Sequence, residues 1–239
     1  MKQKNLLPFL ALIGCAHAFA AQPSQWKHTV MVYFLGAAMD GNAAIGNLAA
    51  DVDVPFSDIA DKLEFGAMGY YRAEKDQLSF GLDVIYMGLG GTALNGLAEV
   101  DFDQWMVEGT AGWRATDVFE VFAGVRYNDV AAEIAGRGPR AMKLSKSQGW
   151  YDPIVGSRLW LPLSGKLSCL ARGDIGGFGV GSDLTWQLGA YLRYATSQSS
   201  SLLLGYRYLD IDYEDGAGAS RFVYNVTIQG PALGFSWQF

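Results

Sequence analysis

Apolar and polar residues alternate along most of the chain with a period of two, the pattern of β-strands that have two different faces. In segment 184–194, leucines, alanine and aromatic residues at even positions alternate with a second set that includes Gln187, Gly189 and Arg193. Segments 78–86, 119–127 and 201–208 repeat this pattern. Each of these segments therefore predicts a strand with one apolar face and one mixed face.

Turn-forming residues divide the region after residue 26 into ten strands, an even number as single-chain bacterial barrels require. The predicted strands are 27–38, 63–74, 77–88, 103–115, 118–129, 150–162, 167–176, 184–195, 201–213 and 222–239. Short connections (74–76, 115–117, 163–166, 196–200) alternate with long ones (39–62, 89–102, 130–149, 177–183, 214–221). Short periplasmic turns and long outer loops show this asymmetry. We predict an all-β fold, a closed antiparallel transmembrane β-barrel of ten strands, with eight as the alternative.

Charged residues in the strand middles fall on the mixed face, which we expect to line the lumen. They are Arg72, Asp83, Glu108, Glu120, Arg126, Arg158, Arg172, Asp174, Arg193 and Arg207. A lysine or arginine facing lipid at the bilayer midplane would cost about 2–4 kcal/mol, which explains their absence from the middle of the apolar faces. A soluble β-sandwich would instead spread such charges over a solvent face. The lumen network has two interpretations: a paired plug, which we favour, or a polar path for small solutes.

The first 21 residues read as a removable secretory signal. Lys2 and Lys4 precede the apolar run 6–13, which is shorter than the roughly 20 residues of a membrane-spanning helix. Ala18-Phe19-Ala20 follows as a cleavage site, so we predict a signal peptide over 1–21 and a barrel domain over 22–239. The alternative is a lipobox that leaves a lipidated Cys15 as the first residue.

Composition excludes nucleic acid as a partner. Removing two lysines with the signal leaves 16 basic against 24 acidic residues, a balance of −8, whereas phosphate binding needs a basic surface. Only Cys169 then remains, so no intramolecular disulfide forms. Thirty glycines and a 13% aromatic share suit a barrel with small inward residues and aromatic girdles.

The last strand ends in alternating aromatic residues, Phe235, Trp237 and Phe239. It resembles the C-terminal signal of bacterial outer-membrane barrels, which the assembly machinery reads in that family. With segments 172–179 and 205–210, the chain resembles small Gram-negative outer-membrane barrels of the opacity and OmpA-like type, in a poorly characterised branch. The resemblance implies an outer-membrane location, with outer-membrane lipid, lipopolysaccharide and the barrel-assembly machinery as partners. It names no external partner.

Nothing in the sequence points to catalysis. After the predicted cleavage one histidine remains, His28, at the periplasmic start of the first strand. Omptin proteases, lipid A deacylases and the outer-membrane phospholipase resemble this chain in being barrels, but need a histidine near the outer mouth or on the outer wall. The acidic pair Asp210 and Asp212 is better explained as solvated loop-edge residues.

Two further motifs fail on spacing. Four aspartates within 51–61 lack the pattern of a calcium loop, and the glycine-dense segment 173–181 lacks the Gly-Lys-Ser/Thr ending of a phosphate loop. We therefore expect no catalytic residue, cofactor or metal. We expect a non-enzymatic structural or surface-interaction role, with a narrow channel for small polar solutes as the alternative and a lipid- or peptide-modifying enzyme as a weaker third.

Overall fold

The computed structural model describes residues 25–93, 98–136 and 143–239. The predicted signal segment 1–21 lies outside these residues. The elements, in chain order, are β1 (Lys27–Leu35), β2 (Ala38–Ile45), β3 (Leu48–Val54), α1 (Phe56–Lys62), β4 (Leu63–Lys75), β5 (Leu78–Ala93), β6 (Ala98–Arg114), β7 (Phe119–Gly136), β8 (Lys143–Ser164), β9 (Leu167–Gly177), β10 (Leu184–Ala195), β11 (Ser200–Asp215), a 3₁₀ turn (Gly218–Ser220) and β12 (Phe222–Gln238).

Ten of these strands form a closed antiparallel barrel in the order β1, β4 through β12, and back to β1. Closure is visible at Val32, which lies opposite Gly69 of β4 on one side and Phe235 of β12 on the other. Closing the sheet removes the unpaired edges that an open sheet would leave. The predicted fold class, a ten-stranded antiparallel barrel, is confirmed.

The two ends of the barrel differ, and we name them by their connections. At the short-turn end, two-residue turns place Asp76 at φ 54° and Gly165 at φ 36°, left-handed values that aspartate and glycine tolerate better than most residues. Both ends of the barrel chain meet there, where the backbones of His28 and Phe239 exchange hydrogen bonds of 2.8 and 2.9 Å. The opposite end carries the longer connections and is called the hairpin end.

Long loops were the wrong prediction for much of the hairpin end. The strands predicted to stop near 88 and 129 continue to Ala93 and Gly136, and their partners begin at Ala98 and Lys143. The ladders stay in register throughout, for example with Ala98 opposite Gly136. Once two strands are paired at the rim of the barrel, each further residue adds ladder hydrogen bonds, so the hairpins extend beyond the barrel wall.

The predicted loop 39–62 also contains structure, which corrects both that loop and the first strand, predicted as 27–38. The strand is interrupted after Leu35 and continues as β2. β2 pairs with the half of β12 near the hairpin end, in the same register in which β1 pairs with the half near the short-turn end. β3 then folds back on β2, and α1 follows Pro55. β2 and β3 therefore form a hairpin that prolongs one side of the barrel.

Helix α1 covers a gap in the barrel wall. Pairing between β1 and β4 stops at Val32 and Gly69, although β4 stays paired with β5 up to Leu63. Ile59 of α1 is 4% exposed and belongs to the apolar cluster inside the barrel. On the same helix, Phe56 meets Phe34 edge-to-face at 6.2 Å, and both rings are exposed. The helix therefore replaces the missing strand pairing with side-chain packing.

The outward surface near the short-turn end is an apolar belt bounded by aromatic rings. On β6 the belt runs from Trp113 to Trp105, eight residue steps or roughly 27 Å of strand at ~3.4 Å per residue. At its upper limit Tyr86 packs on Trp105 at 4.6 Å, and Tyr127 packs on Tyr151 at 4.7 Å. Such aromatic girdles mark the interfaces of a membrane barrel.

Within the described ranges, no helix has both the length and the apolar character needed to cross a membrane.

Candidate functional site in the barrel lumen

The structure places all ten charged residues of the predicted network on the lumen side of the barrel wall. Nine of them take part in ion pairs. Seven form two clusters, which we name after their central residues, the Glu120 cluster and the Arg126 cluster, and the other two, Arg207 and Asp83, form a separate pair. The tenth, Arg193, is in neither cluster. Whether the network serves as a plug or a path is a separate question.

The Glu120 cluster joins four strands, β4, β5, β7 and β8, through one carboxylate. Glu120 is 0% exposed and accepts hydrogen bonds from both terminal nitrogens of Arg72, at 3.1 and 2.5 Å, and from Nη1 of Arg158 at 2.6 Å. Ser79 donates to it at 2.9 Å. Two guanidinium groups around one buried carboxylate make strong charge-assisted bonds, because each charge is compensated away from water.

The Glu120 cluster continues to residues that the sequence analysis did not select. Arg72 and Arg114 both contact Glu74, at 3.1 and 2.7 Å. Both guanidinium groups also lie over the ring of Trp160, at 5.0 and 5.6 Å from its centre. Glu74 and Arg114 sit at strand ends, so a search limited to strand middles missed them, although both fall on the same alternation.

The Arg126 cluster lies deeper and is the more interconnected of the two. Arg126 donates to Glu108 at 2.9 Å and to Asp174 at 2.7 Å. Arg172 bridges the same two carboxylates, at 2.5 and 2.8 Å. Two arginines and two carboxylates thus form a closed ring of charge, with Thr185 accepting a further bond from Arg126 at 3.1 Å.

A neutral side chain links this ring to the last ion pair. Gln187 donates to Asp174 at 3.3 Å and accepts from Nε of Arg207 at 2.9 Å. Arg207 pairs with Asp83 at 3.1 Å, and the hydroxyl of Tyr33 donates to the same carboxylate at 2.7 Å. Gln187 was visible in the sequence as an inward residue of its strand, but nothing there showed that it would bridge two charges.

Phe122 and two glycines make space for these bulky groups. Arg158 lies over the Phe122 ring at 4.0 Å, and Arg172 lies over it at 5.0 Å. A Cβ on Gly156 would come within 2.6 Å of that ring, and a Cβ on Gly112 would lie 2.7 Å from the Glu120 carboxylate. Since real Cβ contacts are longer, the absence of a side chain at both positions lets the clusters close.

Toward the hairpin end the lumen is filled by apolar side chains, which we name the apolar plug. Ile211 and Val226 are 0% exposed, and Trp150 stacks on Tyr213 with ring centres 4.0 Å apart. The other buried members are Leu35, Ala37, Met39, Ile59, Ile85, Met87, Met106, Val130, Leu209, Phe222, Tyr224, Ile228 and Ala232. This corrects the expectation of a mixed, charge-bearing face along the whole lumen.

One buried carboxylate lies within the apolar plug. Asp152 is 0% exposed and accepts from the Trp150 indole at 3.1 Å and from Asn128 at 3.1 Å. The backbone nitrogen and hydroxyl of Ser182 also donate to it, at 2.6 and 2.9 Å. Four neutral donors satisfy this carboxylate, so it ties the turn after β9 to β8.

The signal for the apolar plug is a change of phase within single strands. In β11, outward Leu204, Tyr206 and Tyr208 occupy even positions, whereas inward Leu209 and Ile211 occupy odd ones. The apolar set therefore moves from the outer face to the inner face above the aromatic girdle. The sequence analysis treated each strand as having one phase and overlooked this change.

A cavity of about 320 Å³ occupies the lumen on the short-turn side of the apolar plug. Its lining runs from Asp117 and Gln238 at the short-turn end to Tyr33 and Arg207 at mid-depth. The lumen thus has a hollow half and a filled half.

Other residues considered from sequence lie away from the lumen. His28, the one histidine among the described residues, bonds to the Tyr71 hydroxyl at 2.7 Å and stacks on Phe239 at the short-turn end. Asp210 accepts from Thr227 at 2.6 Å on the outward face of β11, which Asp212 shares. Phe235, Trp237 and Phe239 are exposed on or just after β12; their role as an assembly signal stays a prediction.

No metal site is formed by groups of three or more histidine, cysteine, aspartate or glutamate residues within the described ranges. Of the four aspartates considered for calcium, Asp51 and Asp53 lie in β3, and Asp58 and Asp61 lie in α1.

No protein-family model and no curated protein matches the chain. Among solved structures, the outer membrane protease OmpT from Escherichia coli is similar, with a TM-score of 0.52, 6% identity and coverage of 92% of this chain and 99% of OmpT. The chain has the fold of outer-membrane β-barrels. Ail of Yersinia pestis gives a TM-score of 0.41 at 10% identity (91% and 100% covered), and Neisserial surface protein A gives 0.34 at 13% (91% and 100%). The opacity and OmpA-like branch stays a resemblance.

Proposed function

We propose that the protein is an integral outer-membrane β-barrel with a non-conducting lumen and a non-enzymatic structural or surface-interaction role. The apolar belt and its aromatic girdle support insertion in a bilayer, because a soluble protein would not expose a continuous band of large apolar side chains. The short-turn end then faces the periplasm and the hairpin end faces outward. In that position the chain contacts outer-membrane lipid and lipopolysaccharide.

The apolar plug is the observation that carries the non-conducting lumen. A polar path for small solutes needs a continuous polar lining, and the lumen at Ile211, Val226 and Trp150 is closed by fully or nearly fully buried apolar groups. Water or an ion crossing this layer would lose its hydrogen bonds without replacement. The charge clusters below it are paired and hold the wall together.

The hairpin end supports a role in surface interaction. β2 and β3 form a hairpin that projects from one side, and β5 to β8 extend beyond the girdle. Paired strands hold such projections in a defined shape, which suits a contact surface better than a flexible loop does. The fold similarity to OmpT, a protease, transfers no catalytic residue to this chain.

Recording from purified, refolded protein in planar bilayers tests the proposal. We expect no steady open events, while a general porin in the same bilayers gives them. Correct folding is checked by heat-shifted mobility in gel electrophoresis, which distinguishes a closed barrel from an unfolded chain.

Steady open events from the folded protein would contradict the proposal and favour the narrow channel for small polar solutes. The hollow short-turn half of the lumen is the observation that keeps this alternative. Arg126→Gln and Arg158→Gln would then change the ion selectivity of those events, since both side chains belong to the charge clusters.

A further inference from the structure

The cavity on the short-turn side has the size of a small-molecule site. Its volume of about 320 Å³ lies at the lower end of the range for ligand pockets, roughly 300–1,000 Å³. An apolar cavity of about 150 Å³ is already sufficient for benzene. Asp117 and Gln238 place its mouth at the short-turn end, and the apolar plug closes the other side.

The charge of this cavity is unbalanced toward the positive. Six arginines line it against three carboxylates, Glu74, Asp83 and Asp117. Behind this lining lie Arg126 and three more carboxylates, Glu108, Glu120 and Asp174. Seven arginines therefore face six carboxylates, even when the exposed Asp117 is included. The whole chain has a formal charge of −6, so this local excess is opposite in sign to the rest of the protein.

The excess is located at two arginines near the mouth. Arg193 lines the cavity, and its side chain has no hydrogen bond or ion pair with any other residue in the part of the chain that the structure describes. Arg114 donates a hydrogen bond to Glu74 from one terminal nitrogen, and its Nε is buried without an acceptor. A cationic donor without an acceptor can bind an anion, and an anion in the cavity would accept hydrogen bonds from the Arg193 guanidinium.

The cavity also has apolar lining. Met31, Leu170, Leu203 and Ala232 belong to it, and Leu203 lies directly across from Arg193 on the neighbouring strand. The ring of Trp160 packs against Arg72 and Arg114. A compact, fully hydrated anion would leave these surfaces without a partner. An anion with an aliphatic or aromatic body would cover them and gain apolar burial.

We propose that this cavity binds a small amphipathic monoanion, a carboxylate with an apolar body, that enters from the short-turn end. Arg193 and Arg114 hold the carboxylate, and Met31, Leu170 and Leu203 contact the body. The inference goes beyond the proposed function and does not depend on it, because a site open at one end needs no conducting lumen.

Calorimetric titration of the refolded protein in detergent micelles with three probes tests the site. Benzoate carries both the charge and the body, benzyl alcohol carries the body without the charge, and acetate carries the charge without the body. We expect benzoate to bind at least tenfold more tightly than either of the others. A blank titration into empty micelles removes partitioning into detergent.

Two variants assign the binding to the cavity. Arg193→Gln should weaken benzoate about tenfold, the effect of losing one charge-assisted hydrogen bond. Arg221→Gln is the matched control, since Arg221 is exposed at the hairpin end and pairs with Glu214; it should leave binding unchanged. Because the Arg193 side chain has no partner in the described structure, its replacement should leave the gel mobility of the folded barrel unchanged.

Equal affinity for benzoate and benzyl alcohol would overturn the proposal, since it would show an apolar hollow without anion recognition. Absence of benzoate binding would overturn it as well. Equal benzoate affinity of the Arg193 and Arg221 variants would remove Arg193 from the site.

Discussion

The two halves of the lumen are built in opposite senses. Near the short-turn end, charged and polar groups such as Glu120 and Arg158 face inward and apolar residues such as Leu204 face outward. Toward the hairpin end the order reverses, with Ile211 inside and Asp210 outside. The proposed insertion in a bilayer accounts for the difference, because a wall in lipid must be apolar outside, whereas a wall in water can bury its apolar residues.

The comparison teaches that the same closed sheet holds two kinds of core. The short-turn half is held by directional ion pairs, so the loss of one partner leaves the other charge uncompensated. This half also contains the cavity. The hairpin half depends on close packing, which responds to lost volume in a graded way. The aromatic girdle, with Tyr86 and Tyr127 donating to Asp103 and Asp129, marks the level where one changes into the other.

The largest effect is expected from Glu120→Gln. The change leaves Arg72 and Arg158 buried without their shared carboxylate, and removing one partner of a buried ion pair costs about 3–5 kcal/mol. Reversible urea unfolding of the barrel in lipid vesicles measures the free energy. Glu214→Gln, which removes an exposed partner of Arg221, is the control and should leave the free energy of unfolding nearly unchanged, because solvent screens an exposed ion pair. Similar losses from both variants would show that the Glu120 cluster is hydrated rather than buried.

A smaller, graded effect is expected in the apolar plug. Ile211→Ala should lower the free energy of unfolding by about 3 kcal/mol, and Ile211→Val by about 1 kcal/mol, since the side chain is fully buried and its loss leaves a cavity. The same unfolding measurement checks both. If the hairpin half were water-filled, neither variant would change stability, and the contrast between the two halves would fail.

The smallest effect is expected from Arg193→Gln. Arg193 lies in the charged half, but its side chain pairs with no residue in the described ranges, so its replacement should change the free energy of unfolding by no more than about 0.5 kcal/mol. Arg158→Gln is the comparison within the same half, and should be strongly destabilising because it breaks the bond to Glu120. A large loss from Arg193→Gln would mean that all lumen arginines are structural, and none is available for a ligand.

Strand number and closure were predictable because the signals are local. The apolar face of a strand is recognised from the residue at every second position. A turn of two to four residues is recognised from the residues within it, as at Asp76 and Gly165. The extent of the outer strands was predicted wrongly, since glycines such as Gly90 and Gly91 read as loop residues although they lie in a continuous ladder. Pairing in a hairpin outweighs the low strand propensity of glycine.

The sequence predicted which residues of the candidate site face the lumen, but not which of them contact each other. The inward positions followed from the alternation of odd and even positions along each strand, and all ten charged residues lie in the lumen as a result. Partnerships such as Arg172 with Glu108, 64 positions apart, depend on how far each strand is shifted against its neighbours. The surplus of Arg193 follows from those same distances, and parity alone could not distinguish it from Arg126.

The amino-acid sequence by itself determined which face of each strand is apolar, because alternation is a property of adjacent residues and needs no fold to express it. Tertiary structure alone decided which charges meet and that α1 covers the gap between β1 and β4. These features arise when distant strands come together at a particular stagger, and the free energy that selects the stagger is shared by the whole closed sheet.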